Sequence, residues 1–487
     1  MSKRSLQVAI VGRDTDLWLT ATAIAEALGP AGVTVTAVEL PSRLGAASIC
    51  STMPAIETLH SKLGIDEPSL LRATGGSFSL GWNLIGQAFA PFMLAHGSYG
   101  APIDGADFFS YWAKARRFGL SAALEDFSPT AMAARHGRIL VPDESTEVFG
   151  RTDYAYHLPA IAYASLLKTH AIRLGVKMHQ TIDVHVERDS GSGAIAAIRR
   201  DEGTIISGDL YIDASGPDAV LIGGSLGIGL EDWREFFPFN RRLSARSGRM
   251  GSVPTYADLR LSSTSWTSLH GTQASTHVVH SFAYSGEREE AAVASARRVA
   301  ELELNDVMIT SRAPGIRENL WADNCVAIGA SACAFDPLFD LDLHSVQLGI
   351  VHLLSLFPAS SETHFEAAEY DRVIRSHFER LRDFQSALYL LAGISTTVSS
   401  TLEQKIDTFR ARGAIAPMED ETFSADQWRA LFVGLGVLPE TWPPAIDTTS
   451  PNQIKQGFRR ILSFVHDKVL EQPMHDRYLA DLGARPR

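Results

Sequence analysis

Three groups of side chains in this chain have types and spacings that could do chemistry. The first is the turn Gly12-Arg13-Asp14-Thr15-Asp16-Leu17, followed at a distance by Glu39. A glycine-opened turn leading into a helix offers backbone N–H groups to a phosphate, and an acid at the end of the next strand suits ribose hydroxyls. The second is Asp336, Asp340 and Asp342, which follow the small-residue turn at Gly329. Such acids could hold a cation, but at a helix start they more simply stabilise its dipole. The third is His96 beside Gly97, a candidate base or hydrogen-bond partner, with His157 better suited to capping or packing a helix. Three cysteines (Cys50, Cys325, Cys333) are too few for a disulfide framework and lack metal-ligand spacing, so no metal is expected.

The elements that must position these groups can be read from periodicity. An apolar run at Leu6–Val11, a helical period over Trp18–Leu28 and a second strand, Val33–Val38, ending at Glu39 form a strand–turn–helix–strand unit. Only the first glycine of a G-x-G-x-x-G turn is present, because Asp14 and Leu17 stand at the other two stations. A carboxylate there faces phosphate charge, which Arg13 would partly offset. Three readings follow: a unit that no longer binds its dinucleotide, tight binding of FAD, or transient binding of reduced flavin from a separate reductase. Further along, Pro54 opens a helix, Pro159–Leu174 is helical, and 176–184, 194–199 and 204–212 read as strands. The region 226–271 is expected to hold edge strands. Glu287–Asn305 reads as a solvated charged helix and His364–Leu391 as a helix or helix pair. Phe108, Phe109, Tyr111, Trp112, Phe118 and Phe127 form an aromatic cluster whose first role is core packing, with lining of an aromatic-substrate pocket as the alternative.

With 487 residues, 45% hydrophobic and 21% charged, the chain can bury a large core as an ordinary globular protein of two or three lobes. A net charge of −12 argues against binding a phosphate backbone, so no nucleic-acid partner is expected. No uncharged run of about eighteen apolar residues suggests a membrane span, and a cytoplasmic location is the expectation.

Several of these landmarks recur, in order, in the flavin-dependent tryptophan halogenases, which the chain resembles from about Leu6 to Pro358. Trp321, Asn324, Cys325, Val326, Ala327, Ile328 and Gly329 match W-x-x-N-C-V-A-I-G, and Pro337-Leu338 opens the family's Pro-Leu-Glu-Ser-Thr-Gly turn. Asp213-Ala214-Ser215-Gly216 is similar to D-x-S-G, and Gly45–Thr52, with Ser48, resembles the flavin loop without its acid. His96-Gly97, Tyr111-Trp112 and Tyr154–Leu158 resemble further landmarks.

The resemblance implies an α/β (α+β) fold: a Rossmann-like flavin monooxygenase/halogenase frame with an added helical lobe. Residues 1–88 and 151–394 would form the FAD-binding module with its substrate-side sheet, and 89–150 and 395–487 a helical lobe covering the substrate. FAD/FADH2 would be held by Gly12, Arg13, Asp14, Trp18, Glu39, Ser48, Asp213, Gly216, Gly329, Asp336, Pro337, Leu341 and Asp342. An aromatic small molecule or peptide side chain would meet Phe109, Trp112 and Trp266. A flavin reductase is the implied partner, and a homodimer or a pair with an active relative the implied assembly.

At the catalytic stations the chain departs from that family. The lysine that holds the oxidised halogen falls at Asn83, and the glutamate at Phe339; His96 is the retained histidine. The Thr-Gly halide contact falls at Leu341-Asp342, and of W-x-W-x-I-P only Trp266 is present. An amide offers neither a basic amine nor a cation. The leading expectation is therefore halogenase-like flavin-dependent oxygenation or oxidation. The alternative is a catalytically impaired homologue that binds a ligand or partner, and the third reading is a true halogenase with replaced residues.

Overall fold

A computed structural model describes residues 6–141, 153–283, 289–358 and 364–484. The final segment of the expected 89–150 lobe (142–150) and the start of the expected charged helix (287–288) lie outside the described residues. Backbone packing groups the chain into two compact units. One comprises Met1–Gly75, Leu158–Asn240 and Thr310–Glu379; the other comprises Gly76–His157, Arg241–Ile309 and Arg380–Arg487. The strands of 241–309 thus group with the helical stretches rather than with the Rossmann-like frame.

The first unit is built on β1 (Gln7–Gly12), α1 (Asp14–Leu28) and β2 (Thr34–Glu39). To these it adds α2 (Ala160–Arg173), β3 (Lys177–Gln180), β4 (Leu210–Ala214), β5 (Trp321–Ala322), β6 (Cys325–Ala327) and α3 (Leu341–Ser355). The sheet order is β5-β6-β4-β1-β2-β3, parallel throughout except for the β5–β6 pair. Its centre reads as a continuous apolar run because both faces are covered: Val8, Ala9, Ile10 and Val11 are all buried. Register aligns Gly12 with Ala214 and with Glu39, which brings the ends of three strands to one edge.

The second unit contains a seven-stranded sheet in the order Asn305–Ser311, Arg241–Gly248, Ser275–Phe282, Ser265–Gly271, Ala257–Leu261, Gly81–Gly86 and Phe92–Ala95. Of the edge strands expected between 226 and 271, only Leu230–Asp232 lies at an edge, that of a three-stranded sheet, and the other strands of the region lie inside the seven-stranded one. Ser265–Gly271 is central and buried along its whole length, because hydrophobic and small polar side chains fill both of its faces. The charged helix is Glu289–Ala300, ending before Asn305, which opens the edge strand. Its Ala292, Ala296 and Ala300 stripe lies on the sheet, and Ala296 and Ala300 join Leu243, Leu269 and Val278 in one core.

Smaller corrections follow from local chemistry. The first helix begins at Asp14, four residues ahead of its apolar period. The expected strand 176–184 is two strands broken at Thr181–Asp183, and 204–212 is broken at Ser207–Asp209. Ala367–Leu391 is one helix of 25 residues.

One buried carboxylate organises the first unit. Asp213, at the end of β4, is fully buried. It accepts hydrogen bonds from the Ser215 amide (3.0 Å) and hydroxyl (2.6 Å), the Leu221 and Ile222 amides (2.7 and 2.9 Å) and the Ser331 hydroxyl (3.1 Å). A buried anion is tolerable only with such donors. Asp213→Ala leaves three amides and two hydroxyls short of an acceptor, and urea denaturation is expected to show a loss of about 3–5 kcal/mol. A loss below about 1 kcal/mol would mean that the donors find other partners.

Candidate functional site

The candidate site lies where β1, β2, β4 and β6 end and α1 begins. Gly12 is a glycine because β1 and β4 run close: a Cβ there would stand 2.6 Å from the Ala214 carbonyl oxygen. Asp14 occupies the left-handed region (φ 57), which favours glycine. Its carboxylate is turned onto the Arg43 amide at 2.9 Å. Arg13 and Arg43 both reach Asp218, at 3.0 and 2.6 Å. Leu17, at the third glycine station, is fully buried in the helix face.

Asp16 is the residue the sequence reading passed over. Its carboxylate accepts a hydrogen bond from the Ala330 amide, across from the first turn of α1. Gly329 (φ +64) has no room for a side chain: a Cβ would meet Asp16 Oδ2 at 2.6 Å and Val346 Cγ2 at 2.9 Å. Burial pushes the Asp16 carboxyl up to about 7, with the charges of Asp342 and Asp14 acting in the same direction and the Ala330 amide against it. Asp342 is itself paired with Arg312 at 2.9 Å.

Other residues expected to hold a cofactor are engaged within the chain. Glu39 accepts from Trp18 Nε1 (3.1 Å), Lys168 Nζ (2.6 Å) and Gln180 Nε2 (2.8 Å). Burial alone would raise its pKa, but these donors outweigh burial and hold the carboxyl below its ordinary range. Lys168 also lies over the Trp18 ring at 5.2 Å. Ser48 closes a turn with Gly45, and Gly216 (φ 76) presents its carbonyl to Ser331. Asp336 is buried and caps the Leu338 amide at 2.9 Å across Pro337; Leu341 is fully buried at the start of α3.

These facts test the fit of a dinucleotide. Its pyrophosphate carries negative charge to the start of α1, where this chain places the carboxylates of Asp14 and Asp16. The residues present do not fit a pyrophosphate held in the usual way. Among the described residues, no group of three or more His, Cys, Asp or Glu is arranged to hold a metal ion.

Asn83, expected at the lysine station, donates from Nδ2 to Asp258 at 2.8 Å, and Asp258 is ion-paired with Arg260 at 3.0 Å. Phe339, expected at the glutamate station, is 1% exposed and lies in the left-handed region (φ 61), as does Asp340 (φ 57). A bulky side chain held there costs about 1–3 kcal/mol.

His96 is buried edge-on to Trp82, their ring centroids 4.7 Å apart. Burial pushes its pKa down to about 3, with His157 adding to the effect, so it is a neutral imidazole and a poor base. His157 is likewise pushed down to about 3 by burial, and its ring meets His270 at 4.9 Å. The three expected substrate residues are buried in packing. Phe109 stacks on Trp112 (5.8 Å) and touches Phe409, Trp112 Nε1 donates to the Ala122 carbonyl, and Trp266 is 1% exposed.

The architecture defines a class: the flavin-dependent halogenase fold. The structure superposes on Xcc4156, a flavin-dependent halogenase from Xanthomonas campestris, with a TM-score of 0.93 and 26% identity over 99% of each chain. It also matches BrvH, a flavin-dependent halogenase from Brevundimonas sp. BAL3, with a TM-score of 0.92 and 28% identity over 98% of this chain and 99% of that one. In sequence, it is 24% identical over 508 residues (92% of both chains) to tryptophan 6-halogenase ThaL of Streptomyces albogriseolus. The tryptophan halogenase family profile matches residues 7–451, and the chain belongs to that family. None of the described helices is long and apolar enough to cross a membrane.

Asp16, Arg43, Lys168 and Asp218 were not among the residues singled out from sequence. The only signal was the alternation of Asp14 and Asp16 at a helix start, since partners as distant as Asp218 leave no local trace. The folded state binds a proton on Asp16 that the unfolded chain releases at lower pH. Its contribution to stability is therefore full below pH about 4 and is lost as pH rises through about 7. Asp16→Asn is expected to remove this dependence, gaining about 2–4 kcal/mol relative to the parent between pH 5 and pH 8 in urea denaturation. Parallel pH profiles for the two proteins would refute the assignment.

Proposed function

We propose that this chain is a halogenase-fold protein that does not transfer halogen, and that its retained work is binding. The bound species is a small aromatic molecule or peptide, or an active family member in a mixed pair. The observation that carries this reading is the Asn83–Asp258–Arg260 chain of contacts. It commits the amide at the lysine station to structure and leaves no basic nitrogen there to hold an oxidised halogen. Phe339 and Asp342 support it: one replaces a carboxylate with a buried phenyl ring, and the other sets a negative charge where a halide would sit.

A second reading, flavin-dependent oxygenation of an aromatic substrate, is favoured by the left-handed backbone of Asp14, a conformation suited to glycine, in the turn where a glycine-rich motif would fall. It requires reduced flavin to arrive loosely bound from a separate reductase. Incubation of the purified chain with a flavin reductase, FAD, NADH, bromide and a panel of tryptophan, indole and tryptophan-containing peptides separates the two. Mass spectrometry is expected to return every compound unchanged. A brominated product overturns the proposal, and a product heavier by one oxygen atom replaces it with the second reading. The Asn83→Lys/Phe339→Glu double variant is expected to gain no bromination, because Asp14 and Asp16 still stand at the start of α1.

A further inference from the structure

We infer that the nucleotide cradle of this chain is closed by its own carboxylates, with Asp16 standing where a phosphate of a bound nucleotide would be held. The inference rests on the non-halogenating reading above and supplies a physical cause for it.

Three features of the α1 turn would attract a phosphate, and each is already occupied by a carboxyl group of the chain. The first is the positive end of α1 together with the amide that faces it from the turn after β6. A helix start concentrates partial positive charge, and an opposing N–H adds a donor. Asp16, in the first turn of α1, takes the Ala330 amide, and its Oδ2 fills the space beside Gly329 so fully that a single methyl group would clash at 2.6 Å. The second is the Arg43 amide on the approach to the turn, which Asp14 takes at 2.9 Å. The third is the pair of guanidinium groups of Arg13 and Arg43, which converge on Asp218 at 3.0 and 2.6 Å. Donor, space and cations are thus satisfied in the folded chain without a ligand. A nucleotide would have to displace or protonate these carboxylates before its own phosphates could use the same groups, and like charges at that range oppose it strongly.

Two substitutions separate the parts. Asp16→Ala opens the space at Gly329 and frees the Ala330 amide. Asp218→Asn leaves Asp16 in place but releases Arg13 and Arg43. The full-length chain and both variants are titrated with FAD, ADP and inorganic pyrophosphate by calorimetry and flavin fluorescence, with the thermal midpoint at pH 8 measured without ligand as the folding control. The parent is expected to show no saturable binding at millimolar ligand. Asp16→Ala, with an unchanged or raised midpoint, is expected to bind FAD and ADP at least about tenfold tighter than the parent. Asp218→Asn is expected to tighten pyrophosphate binding on its own. The inference is overturned if both variants fold normally and bind no tighter than a parent that does not bind. Micromolar FAD binding by the parent also overturns the inference, whereas the non-halogenating reading fails only on a brominated product, so the two failures are told apart by which assay gives the result.

Discussion

The first unit depends on satisfying the charge of Asp213. A carboxylate buried at the end of a central strand would be prohibitively costly without donors. The chain supplies amides from the loop at Leu221 and Ile222, and hydroxyls from Ser215 and from Ser331 in the turn after β6. The same interaction therefore sets the path of two loops that are far apart in sequence. It fixes where Gly329 and Ala330 stand, and hence what Asp16 can reach. Asp213 was expected among cofactor contacts, and its hydrogen bonds assign it a structural role that persists whether or not a flavin is held.

The two glycines kept at this edge have a similar explanation. Gly12 is required by the approach of Ala214, and Gly329 by a left-handed backbone packed against Asp16 and Val346. Neither requirement involves a ligand, so their presence reports on strand and turn packing rather than on a cofactor. Such groups hold the frame and are mostly not those that act on substrate, so the fold by itself does not specify the chemistry. At Asp14 the backbone lies in the left-handed region that favours glycine, while the side chain adds a carboxylate to the turn.

The left-handed pair Phe339 and Asp340 shows the converse, a local cost carried by the surrounding packing. A phenyl side chain in that region is unfavourable by itself and persists only where neighbours determine the path on both sides. Here a capped turn at Asp336 and Pro337 precedes the pair, and the buried start of α3 follows it.

The alternation of apolar runs and helical periods, read without coordinates, was enough to define the strand–turn–helix–strand opening and the segment at 325–354, while the halogenase-type frame was implied by motif resemblance. These follow from local patterning, which a linear chain displays directly. The departures at Asn83, Phe339, Asp14 and Leu17 were equally visible, because each is a matter of residue identity at a motif position. What only the folded chain decided was which atoms those residues meet. The commitment of Asn83 to Asp258 and the convergence of Arg13 and Arg43 on Asp218 depend on register and loop paths set by sheet pairing. So does the carboxyl of Asp16, lifted to about 7 chiefly by burial where it packs against Gly329. Contacts across hundreds of residues carry no periodic signal, and desolvation is a property of the surroundings that a side chain acquires only when the rest of the protein closes over it.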